Sequence, residues 1–163
     1  MALILREIPV DSVRPVVKKY PLQAIGHHTL HRVHSTHDNN DWLEEAFPQR
    51  VFINPLDAAA RGINDGDEVK VFNERGATIL PCRVTPRILP GVVDIPQGAW
   101  YDPDENGVDR GGCVNVLTSH RWTPFAFGTA QHTIMVQVES CKLKVAGSPS
   151  TNVKPSTLNM KPL

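Results

Sequence analysis

Cysteine is scarce: Cys82, Cys113 and Cys141 are the only three, 31 and 28 residues apart. No C-x-x-C pair occurs, so the usual signature of an iron–sulfur, zinc or dithiol site is missing, and an odd count closes no disulfide framework. Structural thiols are the expectation. Charge of one sign is also lacking, because 17 Lys and Arg stand against 17 Asp and Glu. No global field therefore draws the chain to nucleic acid or an anionic membrane, and any phosphate must be gripped locally by backbone amides and a few side chains. Long apolar runs are missing too. MALILREIPVDSVRPVV has a few apolar residues before Arg6, Glu7 and two prolines, which reads as neither signal peptide nor membrane span. No G-x-S-x-G, H-E-x-x-H, phosphate-loop or G-x-G-x-x-G fingerprint is found, and DPDENGVD matches a calcium loop in composition but not in ligand order.

What is there suits one β-rich domain. The 163 residues are 40% hydrophobic and 21% charged, with 14 prolines. That length supports a single core, and proline favours short strands and shaped loops over long helices. Strand composition occurs at 22–26, 50–53, 68–73, 77–84, 91–96 and 133–140. The turn NERG joins the third and fourth as a hairpin, with Gly76 expected to supply a positive φ. Asn54 as cap, Pro55 in the first helical position, LDAAAR and a closing Gly62 predict a short helix. DWLEEAF predicts a second, capped by Asp41. The expected organisation is an N-terminal flanking segment at 1–19, a folded domain at 20–140 and a flexible tail at 141–163.

Three segments are rich in groups that bind ligands. GHHTLHRVHSTHDNNDW places His27, His28, His31, His34 and His37 within eleven residues. Zinc binding is one reading, but β-branched residues and Asn-Asn interrupt a helical spacing, so a merely solvated loop stands ahead of it. A loop after a strand that donates hydrogen bonds to phosphate, ribose or a polar ring fits better. QGAWYDPDENGVDRGGCVNVLTS is a glycine-punctuated loop whose backbone can approach a ligand closely, or equally a packed excursion that closes the barrel. Gln131 and His132 stand at the mouth of the last strand, where a plain surface pair is the default.

In order, HRVHSTHDN, INPLDAAARGINDGDEVKVFNERG, PGVVDIPQGAWYDPDENGVDRGGCVNVLTS and GTAQHTIMVQVE resemble the molybdopterin-dinucleotide-binding domain of dimethyl sulfoxide reductase-type enzymes, across residues 20–139. Together HRVHST, QGAWYDPD, DRGGCVN and AQHT are nearest to the catalytic A subunits of anaerobic dimethyl sulfoxide reductases. The resemblance implies a mainly β fold: a double-psi β-barrel with one or two short helices and long loops. It implies that this C-terminal domain closes over a bis(molybdopterin guanine dinucleotide) molybdenum cofactor. The implied contacts are His31, Arg32, His34, Ser35 and Thr36 from the first loop, Asn115 from the glycine-rich loop, and Gln131 with His132. Asp57 and Arg61 are assigned to structural pairs, Gly66 and Asp67 to a turn, and Trp100 either to the cofactor wall or to anchoring its loop.

The same resemblance gives this chain no catalytic residue and no metal ligand, since the molybdenum ligand and any iron–sulfur cluster fall upstream. The implied parent is an exported, membrane-associated enzyme on the periplasmic or outer face. It reduces an S-oxide or N-oxide by oxygen-atom transfer to molybdenum, with the cofactor supplying the chemistry. Its implied partners are the other domains of the catalytic subunit, an iron–sulfur electron-transfer subunit and a membrane-anchor subunit, with no nucleic acid. The fragment alone is expected to be inactive. Two other classes remain: a stand-alone double-psi-barrel interaction module without pterin affinity, and a metal-binding protein using His31, His34 and His37.

Overall fold

The computed structural model describes residues 18–120, 125–128 and 132–142. The expectations for 1–17 and 143–163 lie outside the described residues. Strands form at the six predicted places: β1 (Leu22–Ile25), β2 (Val51–Ile53), β3 (Glu68–Phe72), β4 (Ala77–Val84), β5 (Val92–Asp94) and β6 (Ile134–Ser140). They close into a barrel in the order β1-β5-β2-β4-β3-β6. The β1–β5 and β2–β4 pairs are parallel and the others antiparallel. The fold is thus mainly β, as expected.

Alternation decides which face of each strand fills the barrel. Val69 and Val71 of β3, Leu80 and Cys82 of β4, and Ile134, Val136 and Val138 of β6 are buried at every second position. Leu22, Ala24, Val51, Ile53 and Val93 meet them from the remaining strands. Each fully buried aliphatic side chain contributes about 1.5–3 kcal/mol over exposure. A one-residue slip would turn the whole set outward, so this pattern fixes the register in which Val71 faces both Thr78 and Val138.

The β3–β4 hairpin closes through Asn73 N donating to Gly76 O at 3.0 Å. Gly76 departs from expectation, since its φ is not positive. A Cβ there would instead lie 2.7 Å from Val116 O, so glycine is required for close approach of the short 3-10 helix at Val114–Leu117. That helix was not foreseen. It buries Val114 and Leu117, and buried Asn73 fastens it by donating to Leu117 O at 2.9 Å.

Helix α1 (Asp41–Ala46) is capped by Asn40 rather than Asp41. Asn40 Oδ1 accepts from Trp42 N at 3.1 Å and Leu43 N at 3.2 Å. Either residue type can cap. The extended backbone sits at Asn40, which pushes Asp41 into the first turn beside the positive end of the helix. Helix α2 (Pro55–Ala59) follows prediction, with Asn54 Oδ1 accepting from Leu56 N at 2.9 Å and Gly62 at φ 65° beyond its end. Asp57 accepts from Gly91 N at 2.7 Å and lies 3.6 Å from Arg61, so both serve structure. Gly66, at φ 83°, and Asp67, which accepts from Asn64 N, shape the next turn. Cys82 and Cys113 are buried free thiols and Cys141 is exposed.

Candidate functional site

β1 and β5 are parallel neighbours, so the loops that follow them leave the barrel side by side. The pairing continues past both strands, with Ile95 N donating to Ile25 O at 2.9 Å and Gln97 N to His27 O at 3.1 Å. Buried Asp94 receives His27 N at 3.2 Å on one oxygen, and His27 Nδ1 lies 2.5 Å from the other. The histidine loop and the segment from Pro96 to Asp102 therefore start from a common base.

The histidine loop turns sharply at its tip, where Thr36 N donates to Val33 O at 3.0 Å. His34 and His37 hold φ values of 53° and 73°, which bulky residues seldom adopt. The opposing strand of chain presses against this tip. A Cβ on Gly98 would fall 1.9 Å from His34 O, so only glycine fits there. Half-exposed Trp100 anchors the contact: its indole Nε1 donates to Ser35 O at 2.7 Å and its backbone N to Asp38 Oδ2 at 2.6 Å.

Beneath the tip, Arg32 is buried and its guanidinium engages Asp38 and, at 2.6 Å, Gln49 Oε1. Its Nε is buried and has no hydrogen-bond partner among the described residues. Gln49 then donates from Nε2 to Pro96 O at 2.7 Å and Gly112 O at 3.1 Å. His31 stacks on Phe47 with ring centroids 4.8 Å apart. Burial, reinforced by the Arg32 charge, holds this imidazole below its ordinary range.

The glycine-rich loop folds around Asp109, which is fully buried. One carboxylate oxygen accepts from Asp102 N at 3.0 Å and Gly111 N at 3.1 Å. The other accepts from Thr78 Oγ1 at 2.7 Å, Gly112 N at 2.9 Å and Cys113 N at 2.7 Å. A side chain on β4 and four loop amides thereby share one charge, which fixes the approach to the 3-10 helix carrying Asn115.

Of the residues named from sequence, His34, Ser35 and Asn115 come together with Gln97 around a cleft of about 190 Å³. His31 and Arg32 line a second hollow of about 180 Å³ with His37, Asp38 and Trp100. Thr36 is exposed and spends its backbone N–H in the tip turn. His132 stands beside the end of β1, where its carbonyl accepts from Gln23 Nε2 at 2.6 Å, and it lines neither hollow. Gln131 lies outside the described residues. His31 and His37 share one hollow while His34 lines the other, and among the described residues no group of three or more His, Cys, Asp and Glu could hold a metal ion. Sequence reasoning missed Asp38, Gln49, Asp94 and Asp109. Asp109 had a signal, as an acidic acceptor just before two glycines whose amides it could gather. Gln49 had none.

The family described as Molydopterin dinucleotide binding domain matches residues 22–135. The chain is 54% identical over 125 residues to dimethyl sulfoxide reductase DmsA of Escherichia coli (strain K12), covering 77% of this chain and 15% of that protein. To dimethyl sulfoxide reductase DmsA of Haemophilus influenzae it is 50% identical over 125 residues, covering 77% of this chain and 16% of that protein. To the dimethyl sulfoxide/trimethylamine N-oxide reductase of Cereibacter sphaeroides it is 38% identical over 151 residues, covering 88% of this chain and 18% of that protein. The chain thus spans 15–18% of the length of these curated relatives. Among solved structures, acetylene hydratase from Pelobacter acetylenicus shares the fold with a TM-score of 0.68 at 19% identity, over 80% of this chain and 20% of that one.

Proposed function

This chain belongs to the molybdopterin-dinucleotide-binding domain family, and from that premise we propose that it caps a bis(molybdopterin guanine dinucleotide) molybdenum cofactor as the C-terminal domain of an S-oxide or N-oxide reductase catalytic subunit. The observation that carries this reading is the convergence of His34, Ser35 and Asn115, from two loops distant in sequence, on one cleft. Imidazole, hydroxyl and carboxamide groups there donate and accept hydrogen bonds, the chemistry a pterin edge or phosphate requires. At about 190 Å³ the cleft is smaller than the roughly 300–1,000 Å³ of a complete small-molecule site. This chain therefore supplies one side of a larger site, and other domains supply the rest.

In this reading His34, Ser35 and Asn115 orient the bound group. Arg32 shapes their loop through Asp38 and Gln49, and its buried Nε is a donor without a partner among the described residues. His31, Thr36, Gln131 and His132 complete the contact set that the family resemblance assigns. When bound, the group supplies two-electron oxygen-atom transfer. The residues of this chain bind it, orient it and exclude water, so the fragment alone has no activity. The domain extends over 20–140, in keeping with the family match and the barrel. Two parallel pairs inside a closed, otherwise antiparallel barrel support double-psi topology. The parent works with an iron–sulfur electron-transfer subunit and a membrane anchor, on the periplasmic or outer face.

Amide chemical shifts of the chain, titrated with guanosine diphosphate and with released pterin dinucleotide, test the proposal. Responses confined to 27–40, 98–118 and His132 are expected, and they weaken when His34 and Asn115 are both replaced by alanine. A folded spectrum that neither compound moves would overturn it.

A further inference from the structure

We propose that Gln49, which belongs to none of the loops named from sequence, is the positioning residue that holds all three walls of the candidate site in one ligand-ready arrangement. The inference rests on the cofactor-cap reading for its purpose, but its geometry stands independently. Gln49 lies just before β2, yet its carboxamide reaches three other parts of the chain. Its oxygen accepts from Arg32 in the histidine loop at 2.6 Å. Its nitrogen donates to Pro96 O, at the start of the segment carrying Gly98 and Trp100, at 2.7 Å, and to Gly112 O, in the glycine-rich loop, at 3.1 Å.

Only a primary carboxamide answers these demands at once. One end must accept from a guanidinium and the other must present two hydrogens to two carbonyls, which is the full donor count of the group. Glutamate keeps the acceptor and loses both donors, while methionine keeps the length and loses everything polar. The surroundings leave no slack: a Cβ on Gly112 would lie 2.6 Å from Gln49 Cγ. Gly112 thus makes room for the Gln49 stem as Gly98 makes room for His34 O. The Asp38–Trp100 and Trp100–Ser35 contacts join the first two walls a second time. Asp109 ties the third wall to Asp102, at the end of the second, but among the described residues it makes no hydrogen bond to the histidine loop. Gln49 is therefore the side chain whose hydrogen bonds reach the histidine loop, the Pro96 segment and the glycine-rich loop together, and through them it sets the distance between Asn115 and His34.

Amide-proton exchange on the full chain, with Gln49→Met and Gln49→Glu variants, separates positioning from general stability. In Gln49→Met, exchange at the Trp100, Gly112 and Cys113 amides is expected to rise together at least tenfold, while the barrel amides of Val71 and Val138 stay unchanged. In Gln49→Glu, which retains the Arg32 contact, the Thr36 and Trp100 amides keep their protection and the glycine-rich loop alone loosens. Acceleration limited to residues next to position 49, or equal acceleration in the barrel, overturns the proposal. So does an unchanged pattern in Gln49→Glu. A parallel titration with guanosine diphosphate distinguishes the two inferences. If wild-type chain binds it, Gln49→Met must weaken binding about tenfold or more, and equal affinity overturns the positioning role. If wild-type chain does not bind while the exchange pattern holds, the cofactor-cap reading fails and the role of Gln49 in joining the loops stands.

Discussion

Replacing Asp109 with asparagine exchanges one oxygen for an amino group in a pocket that presents only donors. The less damaging orientation puts the NH₂ where one oxygen accepted from Asp102 N and Gly111 N. The alternative would strand Thr78 Oγ1, Gly112 N and Cys113 N. Hydrogen bonds to a charged group are each worth roughly 1.5–3 kcal/mol, so losing two costs about 3–6 kcal/mol. Asp102 is an exposed residue whose bond to Asp109 is only partly buried, which favours the lower end, about 3 kcal/mol. Against a total stability of about 5–15 kcal/mol for a domain, this is a large fraction. It corresponds to a melting temperature lower by about 8–15 °C. Urea denaturation followed by circular dichroism and tryptophan fluorescence measures it. Thr78→Val removes only the hydroxyl donor, leaves that Asp109 oxygen its two amide donors, and should cost about 1.5–2 kcal/mol, the lower part of the range for bonds to a charged group. An Asp109→Asn variant within about 0.5 kcal/mol of wild type would refute the reasoning, as would a Thr78→Val loss of equal size.

Two glycines separate close approach from backbone conformation. Gly76→Ala, whose Cβ would meet Val116 O at 2.7 Å, should cost about 1–3 kcal/mol, whereas Gly62→Ala, in open space at φ 65°, should cost about 1 kcal/mol; the same denaturation assay ranks them. His31 should titrate below the ordinary imidazole range by proton NMR, and Phe47→Ala should raise its pKa by restoring solvation. Because the folded value lies below the unfolded one, His31 takes up its proton more readily in the unfolded chain. Stability should therefore fall as pH drops from the ordinary imidazole value of 6.5 towards the folded value. A stability–pH profile with no difference between wild type and His31→Gln across that interval would contradict this.

The barrel was legible because its information is local. Alternating Val, Ile and Leu in β3, β4 and β6 states both the strand and the face, and Asn54-Pro55 marks where α2 starts. The misreadings came where two local solutions compete or a distant neighbour decides. Asn40 and Asp41 both suit a cap, and only the chain's entry direction selects Asn40. Gly76 looked like a turn residue, but its constraint is Val116, on an element that composition alone presented as loop. Candidate contact residues were visible as motifs, yet the grouping of His34 and Ser35 with Asn115 depends on two loops meeting in space. Gln49 bonds to Pro96 and Gly112, 47 and 63 positions away, and no spacing rule carries such a contact. Asp109 sits within a recognised motif, but its bond to Thr78, 31 positions earlier, is equally invisible from the motif.

β6 hydrogen-bonds to β1 on one side and β3 on the other, pairing Val136 with Leu22 and Val138 with Val71. Among the described strands the first, β1, therefore waits for the last, β6, and contacts of such long sequence separation form slowly. Any chain that stops before Ile134 is an open sheet with two bare edges, which invite pairing with other unfinished chains. Barrel closure thus depends on β6: until it pairs, the edges of β1 and β3 stay open to strands of other chains.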